Sequence, residues 1–250
     1  MKFCTLASGS SGNSLYIDTG RTKILVDAGI SPRKLSLRLK KIGTEIGEID
    51  SVIVTHEHAD HSSAITNLPN PVYVASSTRS LWDGKVGDLR EFDSASEFEI
   101  NDITVTPFSV SHDALDPVCF TIEAGEKKLG VATDVGCVTA LLRERLRGSN
   151  ALVIEFNHDE RLLSYSPYPW ELKQRIKGRL GHLSNNEAAG LLRSLLHGGL
   201  SYVVLAHMSK VNNSENIAVD AALGVLALEG SGHVGISVAP RNKIGEVLEI

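Results

Sequence analysis

Thr55-His56-Glu57-His58-Ala59-Asp60-His61 closes an apolar run, residues 51–54, whose β-branched side chains predict a buried strand. Three imidazoles and a carboxylate therefore leave the end of one strand within six residues. Imidazole nitrogen and carboxylate oxygen are the donors that Zn²⁺ and its first-row neighbours accept. In extended chain His56 and His58 point to one side, whereas Asp60 and His61 follow once the chain has begun to turn. The spacing predicts two adjacent metal ions, one held by each pair. A solvated polar loop is the bland alternative, disfavoured because so dense a cluster is rare in a chain with only 9 His.

Working outward, four more ligand-type residues fall at predicted strand ends, where α/β folds gather their sites. His112 follows a strand at 103–110, Asp134 one at 129–133 and His207 one at 202–206, while Glu155 lies within 151–156. Alone, each reads as an ordinary hydrogen-bonded side chain; their recurrence beside the His-rich stretch gives them weight. A two-metal site roughly 3.5–4 Å across needs about three ligands per ion and a bridging carboxylate. His56, His58 and His112 make one set, and Asp60, His61 and His207 the other. Asp134 bridges. A water between the ions would have its pKa lowered toward about 7 and serve as the hydroxide nucleophile. Asp27, at the end of a strand at 23–26, is placed to anchor a ligand imidazole from behind.

Between these points the chain alternates strands and helices without a repeat, low-complexity tract or linker, which predicts a single domain over residues 1–250. Ser8-Gly9-Ser10-Ser11-Gly12-Asn13 is a turn on local chemistry, and its N–H groups also suit an anion nest. Ser31-Pro32 opens a helix to about residue 42, with Leu35 and Leu39 inward and Arg33, Lys34, Arg38, Lys40 and Lys41 on a solvated face. Short β segments from 98 to 133 predict an antiparallel sheet packed on the first. An αβ rhythm then resumes, with the capping box Ser184-Asn185-Asn186-Glu187 starting a helix. The architecture that fits this order is α/β (α+β), a four-layer αββα sandwich.

At 42% hydrophobic content and net charge −5, the 250 residues suit a globular core and argue against a generic nucleic-acid coat. They leave a phosphodiester substrate open, since two divalent metals would add about +4 to the site. The absence of a long apolar run predicts no membrane span. Three scattered cysteines and no secretion signal in the sequence predict a cytoplasmic protein.

Leu25-Val26-Asp27-Ala28-Gly29, His56 to His61, His112, Thr133-Asp134 and His207 resemble, in order, the five motifs of the metallo-β-lactamase-fold hydrolases. The resemblance implies an αββα sandwich with two divalent metal ions, zinc first, manganese or iron in some members. Asp134 resembles the phosphodiesterase, glyoxalase and lactonase branches rather than the true β-lactamases. Val153 to Asp159, Gly181 to Asn186 and Ala206 to Ser209 resemble the tRNA 3′-processing ribonucleases of this fold, which implies Glu155 orienting His182 and His182 protonating the leaving oxygen. Asn157-His158-Asp159, Tyr168-Pro169, Gly181-His182-Leu183-Ser184-Asn185 and Asn212-Asn213 resemble the YycJ/WalJ-type bacterial branch, which implies a 5′→3′ exonuclease acting on DNA rather than RNA. No long basic arm for gripping tRNA is present.

The residues themselves also point toward a phosphodiester. Lys173, Arg175, Lys177 and Arg179 crowd before His182, as a solvated face or as phosphate contacts. Ser184 caps its helix and can also share an anion site with the first helical N–H groups. Arg179, Ser184, Asn185 and Asn213 are the substrate-binding candidates. His158 is a candidate catalytic group touching the metals or the leaving group, or a support behind them. Trp82, Tyr168 and Trp170 can stack on bases or cover a hydrophobic edge. The rival enzyme is a metal-dependent thioester, lactone or ester hydrolase; a metal-binding interaction protein without turnover is a third reading. Oligomeric state is open at this stage.

Overall fold

A computed structural model describes residues 1–250. β1 (Lys2–Ala7), β2 (Ser14–Asp18) and β3 (Lys23–Val26) lead into α1 (Pro32–Lys41), then β4 (Ser51–Ile53), α2 (Ala59–Ser62), β5 (Val72–Ala75) and β6 (Leu89–Phe92). β7 (Phe98–Ile100), β8 (Ile103–Ser109), β9 (Val118–Ala124) and β10 (Lys127–Ala132) follow, then α3 (Ala140–Leu146) and β11 (Ala151–Glu155). After α4 (Glu160–Tyr165), α5 (Trp170–Lys177) and α6 (Asn185–Leu195) come β12 (Tyr202–Ala206), α7 (Glu215–Leu228), β13 (Gly235–Val238) and β14 (Leu248–Glu249).

The strands form two seven-stranded sheets, ordered β14-β1-β2-β3-β4-β5-β6 and β13-β12-β11-β10-β9-β8-β7. Helices cover the outer faces, so the expected αββα sandwich is the fold. The second sheet is mixed, and the antiparallel expectation for residues 98–133 holds. β7 to β10 are antiparallel, but β10, β11, β12 and β13 run parallel. Parallel neighbours require crossovers; α3, the α4–α6 segment and α7 supply them. β6 and the short α4 were not expected. β6 is an edge strand whose Leu89 to Glu91 are largely solvent-facing, so it carries no apolar pattern.

Side-chain alternation explains the layering. Within β11, Ala151 and Val153 point between the sheets, while Leu152 and Ile154 pack under α3, α6 and α7. β12 repeats this with Val204 and Ala206 inward and Val203 and Leu205 outward. Across the sandwich, Ile24 and Val26 of β3 join the central core, and Leu25 meets Leu35 and Leu39 of α1. Strands buried on both faces read as continuous apolar runs, and each fully buried Leu, Ile or Val stabilises by roughly 1.5–3 kcal/mol. The solvated face expected of α1 holds except at Arg38, whose guanidinium reaches in to the Leu6 carbonyl at 2.6 Å. No helix is long and apolar enough to cross a membrane.

Candidate active site

Parallel strands end together, and the candidate residues gather at one such edge. Asp27 follows β3, the His-rich stretch follows β4, His112 follows β8, Asp134 follows β10, Glu155 ends β11 and His207 follows β12. Asp27, Asp134 and His207 take left-handed backbone, at φ of 63°, 58° and 50°, which turns each side chain across the strand ends. His58 is the N-cap of α2, so Asp60 and His61 occupy its first turn.

Gly29 holds this turn in place. A Cβ there would lie 1.6 Å from the Asp60 carbonyl oxygen, closer than any side chain allows. The approach is knitted by backbone bonds: Asn13 N–H donates to Asp60 O at 2.7 Å, and Gly29 N–H to Asn13 O at 2.8 Å. The loop from Ser8 to Asn13 is therefore part of the site wall. Ser8 Oγ accepts from the His207 N–H at 2.7 Å, and the Asn13 amide lies 2.9 Å from His61 Nε2. The Gly/Ser/Asn composition signalled a turn; only long-range pairing reveals what the turn abuts.

The donor atoms fall into interlocking groups: His56, His58 and His112; His56, His61 and Asp134; Asp60, His61 and His207; and Asp134, Glu155, His182 and His207. Tetrahedral zinc with Zn–N bonds of about 2.0–2.1 Å sets its donors roughly 3.3–3.4 Å apart. His56 Nε2 and His58 Nδ1 are 3.1 Å apart, His61 Nε2 and Asp134 Oδ2 3.1 Å, and His207 Nε2 and Asp134 Oδ1 3.5 Å. Asp134 Oδ2 and His207 Nε2 are buried without a hydrogen-bond partner. Such orphans cost about 1–3 kcal/mol each unless something binds them. The donor set and its spacing fit divalent ions.

Electrostatics divide the cluster. Burial, reinforced by neighbouring His61, pulls His56 down to about 2 and keeps it neutral, its lone pair free. Burial opposes charge on His207 as well, but Asp134, Asp60 and Glu155 outweigh it and lift the ring to about 10. His61 is likewise held well above its ordinary value, burial being outweighed by Asp27 and Asp134. Those imidazoles in turn hold the buried Asp134 well below the usual carboxylate range.

Ring orientation comes from the partners behind. Asp27 Oδ2 accepts from His61 Nδ1 at 2.7 Å, and its Oδ1 is fixed by the Thr55 N–H at 2.9 Å. That leaves His61 Nε2 facing inward. Losing such a partner costs about 10–100-fold in metal affinity or activity, so Asp27→Asn should show a loss of that size in a metal titration. An Asp27→Asn protein with unchanged affinity and activity would remove Asp27 from this role. His112 donates from Nδ1 to the Gly181 carbonyl at 3.2 Å, which turns its Nε2 the same way.

Glu155 is fully buried and serves two rings with one oxygen. Its Oε1 lies 2.8 Å from His182 Nδ1 and 2.9 Å from His207 Nδ1. Its Oε2 accepts from the Val135 and Leu183 N–H groups, each at 3.1 Å. Burial opposes ionisation, yet His182 and His207 hold the carboxyl down at about 2. His182 is raised in return: burial opposes it, and Glu155 and Asp134 outweigh burial. His182 lines an open cavity of about 170 Å³ with Ser10, Tyr168, Arg175 and Ser209.

The other candidates are dispersed. Asn185 and Asn213 spend their amides on each other, at 3.0 and 2.9 Å, and Asn213 also binds the Phe156 carbonyl at 2.8 Å. The pair locks α6 to the loop before α7. Arg179 is exposed and forms no ion pair, lining neither this cavity nor its neighbours. The remaining basic residues are engaged within the protein. Lys173 donates to Ser164 O at 2.8 Å, Arg175 pairs with Asp113 at 2.6 Å, and Lys177 lies over the Trp170 ring at 5.2 Å. Ser184 caps α6 in a reciprocal box with Glu187. His158 stands outside all four donor groups and lines a separate cavity. Asp113, 3.4 Å from His112 Nε2, is a neighbour that no sequence signal marked.

Residues 22–208 match the family model described as the beta-lactamase superfamily domain. The chain belongs to that superfamily and is a hydrolase of the metallo-β-lactamase fold. The exodeoxyribonuclease YycJ of Bacillus anthracis is 33% identical over 259 residues, covering 100% of this chain and 94% of the relative. The exodeoxyribonuclease WalJ of Streptococcus pneumoniae is 34% identical over 246 residues, covering 94% and 91%. Among solved structures, the metallo-β-lactamase fold protein YhfI of Bacillus subtilis matches with a TM-score of 0.76 at 16% identity, over 100% of this chain and 99% of that one.

Proposed function

We propose that this chain is, as one domain, a dinuclear metal-dependent exonuclease that shortens DNA from the 5′ end. The observation that carries the reading is the Glu155–His182 pair poised over the donor cluster, in a chain similar along its whole length to two exodeoxyribonucleases. His56, His58 and His112 would hold one ion, Asp60, His61 and His207 the other, with Asp134 between them. Zinc suits this donor set best. Divalent ions supply Lewis acidity there, acidifying water near neutral pH and neutralising charge on a phosphodiester.

The residues then divide the remaining work. Glu155 Oε1 accepts from Nδ1 of His182, which fixes that tautomer. Nε2 of His182 can donate only when the ring carries a second proton, and Glu155 and Asp134 favour that form by raising the ring above its ordinary value against the effect of burial. His182 is therefore the general acid for the leaving oxygen, with Glu155 a positioning residue. Ser184 lies two residues beyond His182, but its N–H and hydroxyl are taken by Glu187 and the Asn185 N–H by the His158 carbonyl, so little of the start of α6 is left for a phosphate.

The test is a substrate panel run with Zn²⁺, Mn²⁺ or Mg²⁺. End-labelled DNA should be shortened from the 5′ end, while a lactone and a thioester should turn over far more slowly. Rapid lactone or thioester hydrolysis with intact DNA under every metal would overturn the nuclease reading.

A further inference from the structure

A cavity of about 410 Å³ opens between α4, α5 and the start of α6. It is distinct from the one His182 lines, and α5 divides the two. Leu172, Arg175 and Ile176 face the His182 cavity, while Trp170, Lys173 and Lys177 face this one. Only Leu183 separates His182 from Ser184 on the far side.

Its construction is not that of a surface dent. Trp170 forms one wall and leaves 67% of its surface exposed, so its ring is open to a stacking partner. Leu163 is buried at the floor. His158 also lines it, is only 2% exposed, and has an Nδ1 without a hydrogen-bond partner. Lys173 and Lys177 stand one helical turn apart at the rim. The two carboxylates present are engaged at the start of α6, Glu187 with Ser184 and Glu160 with Asn186.

We propose that this cavity is a nucleotide subsite, taking a deoxynucleotide base against Trp170 and its phosphate at Lys173 and Lys177. An indole face stacks on any base, and the lining includes His158, whose buried Nδ1 has no partner within the fold. The two ammonium groups keep free N–H donors, because Lys173 has one bond to Ser164 and Lys177 only the ring beneath it. Placed beside the general acid, the subsite would hold a nucleotide next to the scissile bond. This last step rests on the nuclease reading; mononucleotide binding itself does not.

The test is a titration of the metal-loaded protein with dAMP, followed by tryptophan fluorescence. A saturable quench is expected, and it should vanish in Trp170→Leu, which keeps Trp82 as the other tryptophan. Trp170 is exposed, so the fold should survive, as circular dichroism would show. Lys173→Ala with Lys177→Ala should weaken dAMP by about 10-fold or more, because bonds to a charged phosphate are lost. Deoxyadenosine should bind the wild type similarly more weakly than dAMP. A quench that persists in Trp170→Leu, or that inorganic phosphate reproduces, would overturn the subsite. No dAMP response in a protein that cleaves DNA would also overturn it, and would leave the nuclease reading standing. A dAMP response in a protein that cleaves no DNA would support the subsite while the nuclease reading fell.

Discussion

Replacing His182 with alanine should lower cleavage of an unactivated DNA phosphodiester by about 10²–10⁴-fold, the usual contribution of a positioned acid. The metal content should stay unchanged, because no proposed ligand is removed and His207 keeps Glu155 Oε1 at 2.9 Å. Bis-p-nitrophenyl phosphate leaves as a weakly basic phenolate that needs little protonation, so its hydrolysis should fall far less. Glu155→Gln should show the same pattern more weakly on the acid. It should also disturb metal retention, since the same carboxylate orients His207. Equal losses on the activated and unactivated diesters would exclude His182 as the acid.

A still larger loss is expected at Asp60. The His56, His58 and His112 group does not include it, whereas the Asp60, His61 and His207 group depends on it. Wild-type protein purified without chelators should carry about two transition metals per chain. Asp60→Ala should carry about one, and its DNA cleavage should fall to background because a two-ion arrangement is broken. Elemental analysis beside the nuclease assay checks both. Wild-type stoichiometry saturating at one, unchanged by Asp60→Ala, defeats the dinuclear proposal.

Much of the architecture was legible because its signals are local. The doubly buried strands β3, β4, β11 and β12 announce themselves as unbroken apolar runs, and the His-rich stretch follows β4 directly. The direction of pairing was not legible in the same way. Nothing within β10 to β13 distinguishes a parallel neighbour from an antiparallel one; the intervening helices decide it. At the site, residue types at strand ends pointed to the donors, but their partners were hidden. Glu155 meets His182 27 positions away and His207 52 positions away, and the contacts exist only once β11 and β12 lie side by side. The bond between Asn185 and Asn213 spans 28 positions and was hidden in the same way.

The left-handed backbone at Asp27, Asp134 and His207 carries a consequence for how such a chain varies. Each non-glycine residue in that region costs roughly 1–2 kcal/mol, less for the small polar types that tolerate it. The three costs sit at one edge of an otherwise well-packed sandwich, among buried polar atoms that lack partners within the fold. Glycine at any of the three would relax the chain and remove a side chain proposed for the site in the same stroke. Thermostability and activity are therefore opposed most sharply at these positions. Variants selected for heat tolerance alone should drift first toward a sturdier, inert sandwich.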